Sequence, residues 1–196
     1  MPQEYLKFQD VNFAYESATE PLFLGISAHL PSGWTGIVGA NGSGKSTFLK
    51  LAVGLIKPDA GVVIAPMRTV YCPQRTDDPP EQYAALLDSN SKAASLIRGR
   101  LGVDAEWLER WTVLSHGERK RVQIAVALWL EPDVLAIDEP TNHVDAEARN
   151  VLIKALREFP GIGLLVSHDR YLIDTLCSRC IFIETPHMVR ADIQRG

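Results

Sequence analysis

Cysteine is scarce in this chain: three residues in 196, an odd number. That excludes a disulfide scaffold and fits reduced thiols in a cytosolic protein. No long hydrophobic run exists. The most apolar stretch, Ile124 to Leu130, has seven residues, against the roughly 20 that cross a bilayer as a helix. The opening MPQEYLKFQD has no basic head followed by an apolar stretch, so no secretory signal is expected there. Neither sign of charge dominates: 20 basic against 24 acidic residues give a net charge of −4, which provides no global basic field for nucleic acid or an anionic membrane. What is present is an ordinary globular composition, 46% hydrophobic and 22% charged. The length suits one domain that buries a core without staples.

The chain alternates strand-like and helix-like segments. β-like alternation marks Tyr5 to Tyr15 and Gly25 to Leu30, and Pro31-Ser32-Gly33 is a turn. Trp34 to Val38 reads as a buried strand that runs through a glycine-rich loop into a helix, Lys45 to Leu55. Short strands follow at Val62 to Ala65 and Arg68 to Cys72. Beyond the linker Thr76-Asp77-Asp78-Pro79-Pro80 lie helical pieces at Glu81 to Leu87, Lys92 to Leu101 and Ala105 to Arg110. The last part predicts helices at Gly117 to Leu130, Ala146 to Phe159 and Arg170 to Leu176. Strands are predicted between and after them, at Val134 to Ile137, Ile162 to Val166 and Arg179 to Glu184. Strands alternating with helices predict an α/β fold with a mostly parallel sheet. An N-terminal antiparallel β subdomain and a helical insertion at about 75–130 complete the expectation, all within a single domain, 1–196.

Gly39-Ala40-Asn41-Gly42-Ser43-Gly44-Lys45-Ser46 matches G-x-x-x-x-G-K-[ST], the P-loop. Glycines let the backbone curl so that successive N–H groups point at phosphate oxygens, and the following helix presents its positive end to the same anion. Lys45 is placed to reach the β- and γ-phosphates of a bound nucleotide, and the Ser46 hydroxyl to ligate Mg²⁺. Thr47 extends this expected nucleotide-binding set. Val134 to Ile137 leads into Asp138 and Glu139. An acid ending a buried strand is costly without a partner. Asp138 is the expected second Mg²⁺ holder. Glu139, directed to the other side in an extended chain, is the candidate to orient or deprotonate the attacking water.

Between these motifs lies Leu114-Ser115-His116-Gly117-Glu118-Arg119-Lys120-Arg121-Val122. In that order, the three motifs resemble the ATP-binding-cassette (ABC) ATPases, with Leu114 to Val122 as their signature. Gln74 resembles the Q-loop glutamine, Thr141 to Asp145 the D-loop, His168 the switch histidine, and Tyr15 the aromatic residue that stacks on adenine. The resemblance implies a P-loop NTPase core, hydrolysis of ATP to ADP and phosphate, and cofactors ATP and Mg²⁺. It also implies sites shared between two cassettes arranged head to tail, homo- or heteromeric. Ser115 and the Gly117 N–H would meet the γ-phosphate held by the partner cassette. Gln74 would touch Mg²⁺ and the water region, His168 would hydrogen-bond the γ-phosphate, and Asp145 would couple the two sites. His116 stands where the family usually has the first signature glycine.

The run Asp138-Glu139-Pro140-Thr141-Asn142-His143-Val144-Asp145, with Val166-Ser167-His168-Asp169-Arg170 after it, looks closest to the F subfamily. Those proteins are soluble, many act on the ribosome, and they usually join two cassettes through a charged helical linker. Here there is one cassette and no such linker. Two roles follow from the resemblance. The favoured one is the ATPase subunit of an ABC transporter, cytoplasmic and peripheral at the inner membrane face, with a separate membrane-domain subunit and no membrane insertion of its own. The alternative is an F-like ATPase acting on the ribosome or another assembly. Arg119-Lys120-Arg121 reads as a solvated helix face. His29, His143 and His187 have no ligand set. Cys177-x-x-Cys180 reads as two ordinary thiols at a helix end.

Overall fold

A computed structural model describes residues 5–184 and the backbone of 188–192. His187 lies outside the described residues. Strand β1 (Tyr5–Phe13) pairs antiparallel with β2 (Phe23–Pro31) on one side and β4 (Ala60–Ile64) on the other. The apolar alternation of β1 changes parity midway. Leu6 and Phe8 are buried, then Val11 and Phe13. The change occurs at an irregularity where Asp10 has φ 47° and its N–H bonds Ser27 Oγ. An extra residue there keeps both halves facing inward. β1 ends at Phe13, so Tyr15 stands on the loop after it rather than in the strand.

The second sheet has the order β5-β6-β7-β3-β8-β9, with β3 (Gly33–Gly39), β5 (Thr69–Cys72), β6 (Val134–Asp138), β7 (Ile162–Val166) and β8 (Cys177–Glu184) parallel. Every residue of β6 and β7 is buried. Such continuous burial is what a parallel sheet covered on both faces requires. One face packs with α1 (Lys45–Ala52) against the antiparallel sheet, through a core that includes Phe8, Phe48 and Val166. The other lies beneath the helices, through Leu135, Ile137, Leu152 and Leu165. Gly163 is obligatory there, because a Cβ at that position would enter the Trp34 ring. A final strand, β9 (Met188–Asp192), pairs antiparallel with β8; the sequence pattern gives no sign of it.

The helical insertion is present as α2 (Tyr83–Asp88), α3 (Lys92–Leu101) and the start of α4 (His116–Trp129). The helix expected over 105–110 is instead a 3₁₀ turn at Ala105–Trp107, followed by another at Trp111–Val113. Six residues are too few to sustain a helix without packing. Here Trp111 is drawn inward, donating from Nε1 to the Asp77 carbonyl at 2.9 Å. α1 ends at Ala52 rather than Leu55, before Gly54 with φ 75°. α5 (Ala146–Arg157) and α6 (Arg170–Leu176) complete the chain, each capped by an aspartate, Asp145 and Asp169.

Candidate nucleotide site

The carboxyl ends of β3, β6 and β7 open on one cleft of about 850 Å³, the place where open α/β sheets hold ligands. β3 delivers Gly39, and the loop from Ala40 to Gly44 leads into α1. A Cβ at Gly39 would stand 2.5 Å from the Ile183 carbonyl oxygen and 2.6 Å from Ser43 Oγ, so only glycine fits. Gly42 and Gly44 have φ 81° and 97°, where L side chains are strained. Helix α1 has no side-chain cap and no acid in its first turn, so no carboxylate of its own competes for its N–H groups. Lys45 Nζ donates to the Gly39 and Ala40 carbonyls at 3.0 and 2.9 Å. Ser43 Oγ is buried without a hydrogen-bond partner in the protein.

Most of the sequence-predicted residues meet at this cleft. Its lining includes Tyr15, Asn41, Gly42, Gly44, Lys45, Ser46, Thr47, Gln74, Asp138, Glu139 and His168. Gly39, Ala40 and Ser43 do not line it directly but shape the loop beneath. Tyr15 is half exposed, with its hydroxyl 2.8 Å from Thr47 Oγ1 and its ring edge-on to Phe13. Ser115 and Gly117 stand apart from the cleft, at the start of α4. There Ser115 and Glu118 form a reciprocal capping box: Glu118 N–H donates to Ser115 Oγ at 3.2 Å and Ser115 N–H to Glu118 Oε2 at 2.7 Å. The Ser115 N–H bond holds the Glu118 carboxyl below its usual range. Asp145 Oδ1 caps α5 through the Ala148 N–H at 2.8 Å. The His116 ring lies beside that of His143, centroids 5.7 Å apart, so the signature and the D-loop touch within one chain. Cys177 and Cys180 form no disulfide, and no group of three metal-ligating side chains occurs among the described residues.

The two acids are built differently from the sequence expectation. Asp138 ends β6 in the extended form, 4% exposed. Glu139 does not continue it. Its φ is 47°, and its N–H bonds the Val166 carbonyl at 2.9 Å. This left-handed turn cancels the strand alternation, so both acids line the same cleft instead of opposite sides. A non-glycine residue in that region carries backbone strain, which an active site can hold. Glu139 Oε2 accepts from the His168 N–H at 3.2 Å. Its Oε1 stands 3.4 Å from His168 Nε2, within electrostatic reach but without hydrogen-bond geometry, and is otherwise unpartnered. Burial raises the Glu139 carboxyl above its ordinary value, against the lowering effect of the His168 N–H bond.

Two residues near the site were not singled out by the sequence. Tyr71 donates its hydroxyl to Asp138 Oδ2 at 3.0 Å. Lys120, expected on a solvated face, is buried. Its neighbours are also engaged: Arg119 Nε bonds the Trp111 carbonyl at 3.1 Å, and the Arg121 guanidinium lies 4.8 Å over the Trp107 ring. A run of three cations at the start of a helix suggests solvent, and only the position of the aromatic and carbonyl partners shows otherwise.

The family model for ABC transporters matches residues 24–142, well over half of the chain. The chain belongs to the ABC transporter family. Among curated relatives, this cassette is 31% identical to the ATP-binding protein YdiF of Bacillus subtilis over 94% of the chain, and spans about 30% of that protein's length. It is 36% identical to the ABC transporter F family member 5 of Arabidopsis thaliana over 76% of the chain and 23% of the relative. It is also 28% identical to an ABC transporter ATP-binding protein of Nitratidesulfovibrio vulgaris, across 97% of the chain and 83% of the relative. Its fold matches the ATP-binding cassette MJ0796, solved as a dimer in a post-hydrolysis state with ADP and Pi. The TM-score is 0.82 at 20% identity, over 97% of this chain and 99% of that one. No helix among the described residues is long and apolar enough to cross a membrane.

Proposed function

We propose that residues 1–196 form one nucleotide-binding unit that binds and hydrolyses ATP, with residues at about 75–130 as its helical subdomain, and that ATP-driven pairing with a second cassette powers a partner. The observation that carries this reading is Glu139. A buried carboxylate with a raised pKa and one oxygen lacking a hydrogen bond faces the cleft that Lys45 and Asp138 also line. Such a group is suited to accept a proton from water, because its basicity lies nearer neutrality than that of an exposed glutamate. The glycine turn leaves N–H groups and the free end of α1 for phosphate, and Lys45 adds charge. Ser46, Asp138 and Gln74 would hold Mg²⁺, which supplies charge neutralisation at the phosphates. The donor set fits a hard cation: a hydroxyl, a carboxylate and an amide oxygen. His168, hydrogen-bonded through its backbone to Glu139, is suited to report loss of the γ-phosphate. Tyr15, half exposed at the cleft, offers its ring face to adenine. Ser115 and Gly117 stand outside the chain's own cleft, which supports their serving a second cassette.

The favoured role is the ATPase subunit of an ABC transporter. It is supported by the relative from Nitratidesulfovibrio vulgaris, an ABC transporter ATP-binding protein most of whose length this chain spans. The likeness to the F family member of Arabidopsis thaliana favours a second reading, an F-like ATPase acting on the ribosome or another assembly. Both place the chain on the cytoplasmic side. The test has two stages. Purified protein should release phosphate from ATP only with Mg²⁺, and Glu139→Gln should abolish it; phosphate release by the variant at the native rate would refute the assignment of the base. Tagged Glu139→Gln protein, captured from native cells with ATP, should then bring down a multi-span membrane protein. Recovery of ribosomes with no membrane subunit would reverse the choice of role.

A further inference from the structure

Helix α4 carries an ammonium group on its inner side. Lys120 is 2% exposed. Its Nζ donates to the Pro73 carbonyl at 2.7 Å and to Gln123 Oε1 at 2.9 Å, and Gln123 Nε2 donates to the same Pro73 carbonyl at 3.2 Å. The three groups close a ring between the signature helix and the residue just before Gln74. Burial pulls the Lys120 ammonium down to about 8, while Cys72, Asp138 and Glu139 favour its charge. A cation taken out of water is expensive, and an apolar side chain of similar length would fill the same space at lower cost. Its contact is directional, however, and the atom it holds belongs to the Q-loop.

The far side of that loop is anchored to the same part of the fold. Trp111 Nε1 donates to the Asp77 carbonyl at 2.9 Å, and Arg119, from the first turn of α4, bonds the Trp111 carbonyl at 3.1 Å. Gln74 and Arg75 are therefore exposed residues between two clamps, and Gln74 lines the cleft. The start of α4 that carries Ser115 thus shares one rigid element with both clamps.

We propose that Lys120 is a positioning residue: by holding the Pro73 carbonyl from the buried side of α4, it fixes Gln74 at the cleft and makes a shift of the signature helix move Gln74 with it. The inference rests on the ATPase reading for its consequence, but not for its geometry. Lys120→Met keeps the length of the side chain and removes the donor. In nucleotide-free protein, trypsin cleavage after Arg75, followed by mass spectrometry, should accelerate at least about fivefold as the clamp opens locally, with cleavage after Lys45 unchanged. ATP affinity without Mg²⁺ should stay within about twofold while kcat falls about tenfold, the signature of lost alignment rather than lost binding. Adding Gln74→Ala should then cost little more, because its position is already lost. Gln123→Ala, which removes one of two donors to Pro73, should give the same pattern at smaller amplitude, and decides alone if Lys120→Met does not fold. Unchanged cleavage after Arg75 overturns the proposal. So does a loss of affinity, kcat and melting temperature in step, with Gln74→Ala fully additive. If the native protein hydrolyses no ATP, the ATPase reading fails, and the trypsin result still decides whether Lys120 holds the loop.

Discussion

The Tyr71 hydroxyl donates to Asp138 Oδ2 across 3.0 Å, tying β5 to the acid that ends β6. Burial, reinforced by the Asp138 charge, pushes the Tyr71 phenol above its ordinary value, so it remains a donor at any working pH. A hydrogen bond to a charged acceptor contributes about 1.5–3 kcal/mol. Tyr71→Phe should therefore fold, melt roughly 5 °C lower, and need severalfold more Mg²⁺ for half-maximal hydrolysis. Calorimetric melting and a Mg²⁺ titration measure both. An unchanged Mg²⁺ requirement would show that the bond only braces the sheet.

Lys45→Ala should leave the fold intact and abolish tight ATP binding. Among the described residues its ammonium hydrogen-bonds the Gly39 and Ala40 carbonyls at the cleft, so its removal breaks no hydrogen bond to the core. Loss of a charge-assisted contact of about 3 kcal/mol weakens affinity ~100-fold. Titration calorimetry on the folded variant checks this, and native affinity would remove the P-loop role.

Tyr15 separates into ring and hydroxyl. Tyr15→Phe loses the Thr47 contact and keeps the ring face; Tyr15→Trp enlarges the face. Both should hold ATP and GTP nearly as well as the native protein, whereas Tyr15→Ala should bind each about tenfold more weakly. Because the side chain is half exposed, melting should hardly move. A drop in melting temperature with intact affinity would assign Tyr15 to packing alone.

Glu139→Gln keeps the shape of the side chain and removes the carboxylate. The variant should bind Mg-ATP, fail to turn over and accumulate as a dimer by light scattering. Adding Ser115→Arg puts bulk and charge where the proposed pairing would set the partner's phosphate and should return the protein to monomer. A monomeric Glu139→Gln at high protein and ATP concentration would mean that a different chain supplies the second signature.

Lys120 also predicts a pH dependence of stability. Its native value, about 8, lies below the ordinary 10.5. Between those values the unfolded chain binds the extra proton and the native protein does not, so this group makes stability rise with pH across that window. Below about pH 8 the buried charge costs the fold a constant amount. Relative to Lys120→Met, the native protein should gain stability from pH 8 to 10.5. Urea midpoints at three pH values measure the difference, and parallel curves would show that the ammonium is not taken out of water.

The sequence by itself determined the order of strands and long helices as far as β8, the phosphate loop and the acids that end β6. These are local properties. Glycine spacing fixes the turn at Gly42 and Gly44, apolar runs without alternation mark β6 and β7, and both are read from a few neighbouring residues. What faces what was decided by tertiary structure. At Glu139 the backbone turns left-handed while its N–H still bonds the Val166 carbonyl on the neighbouring strand, and both acids line one cleft. Lys120 is indistinguishable by sequence from its flanking arginines, because the carbonyl that draws it inward lies 47 residues earlier in the chain. Side chains with both an apolar stem and a charged end can satisfy either environment. Which one they occupy depends on distant atoms that no local pattern records.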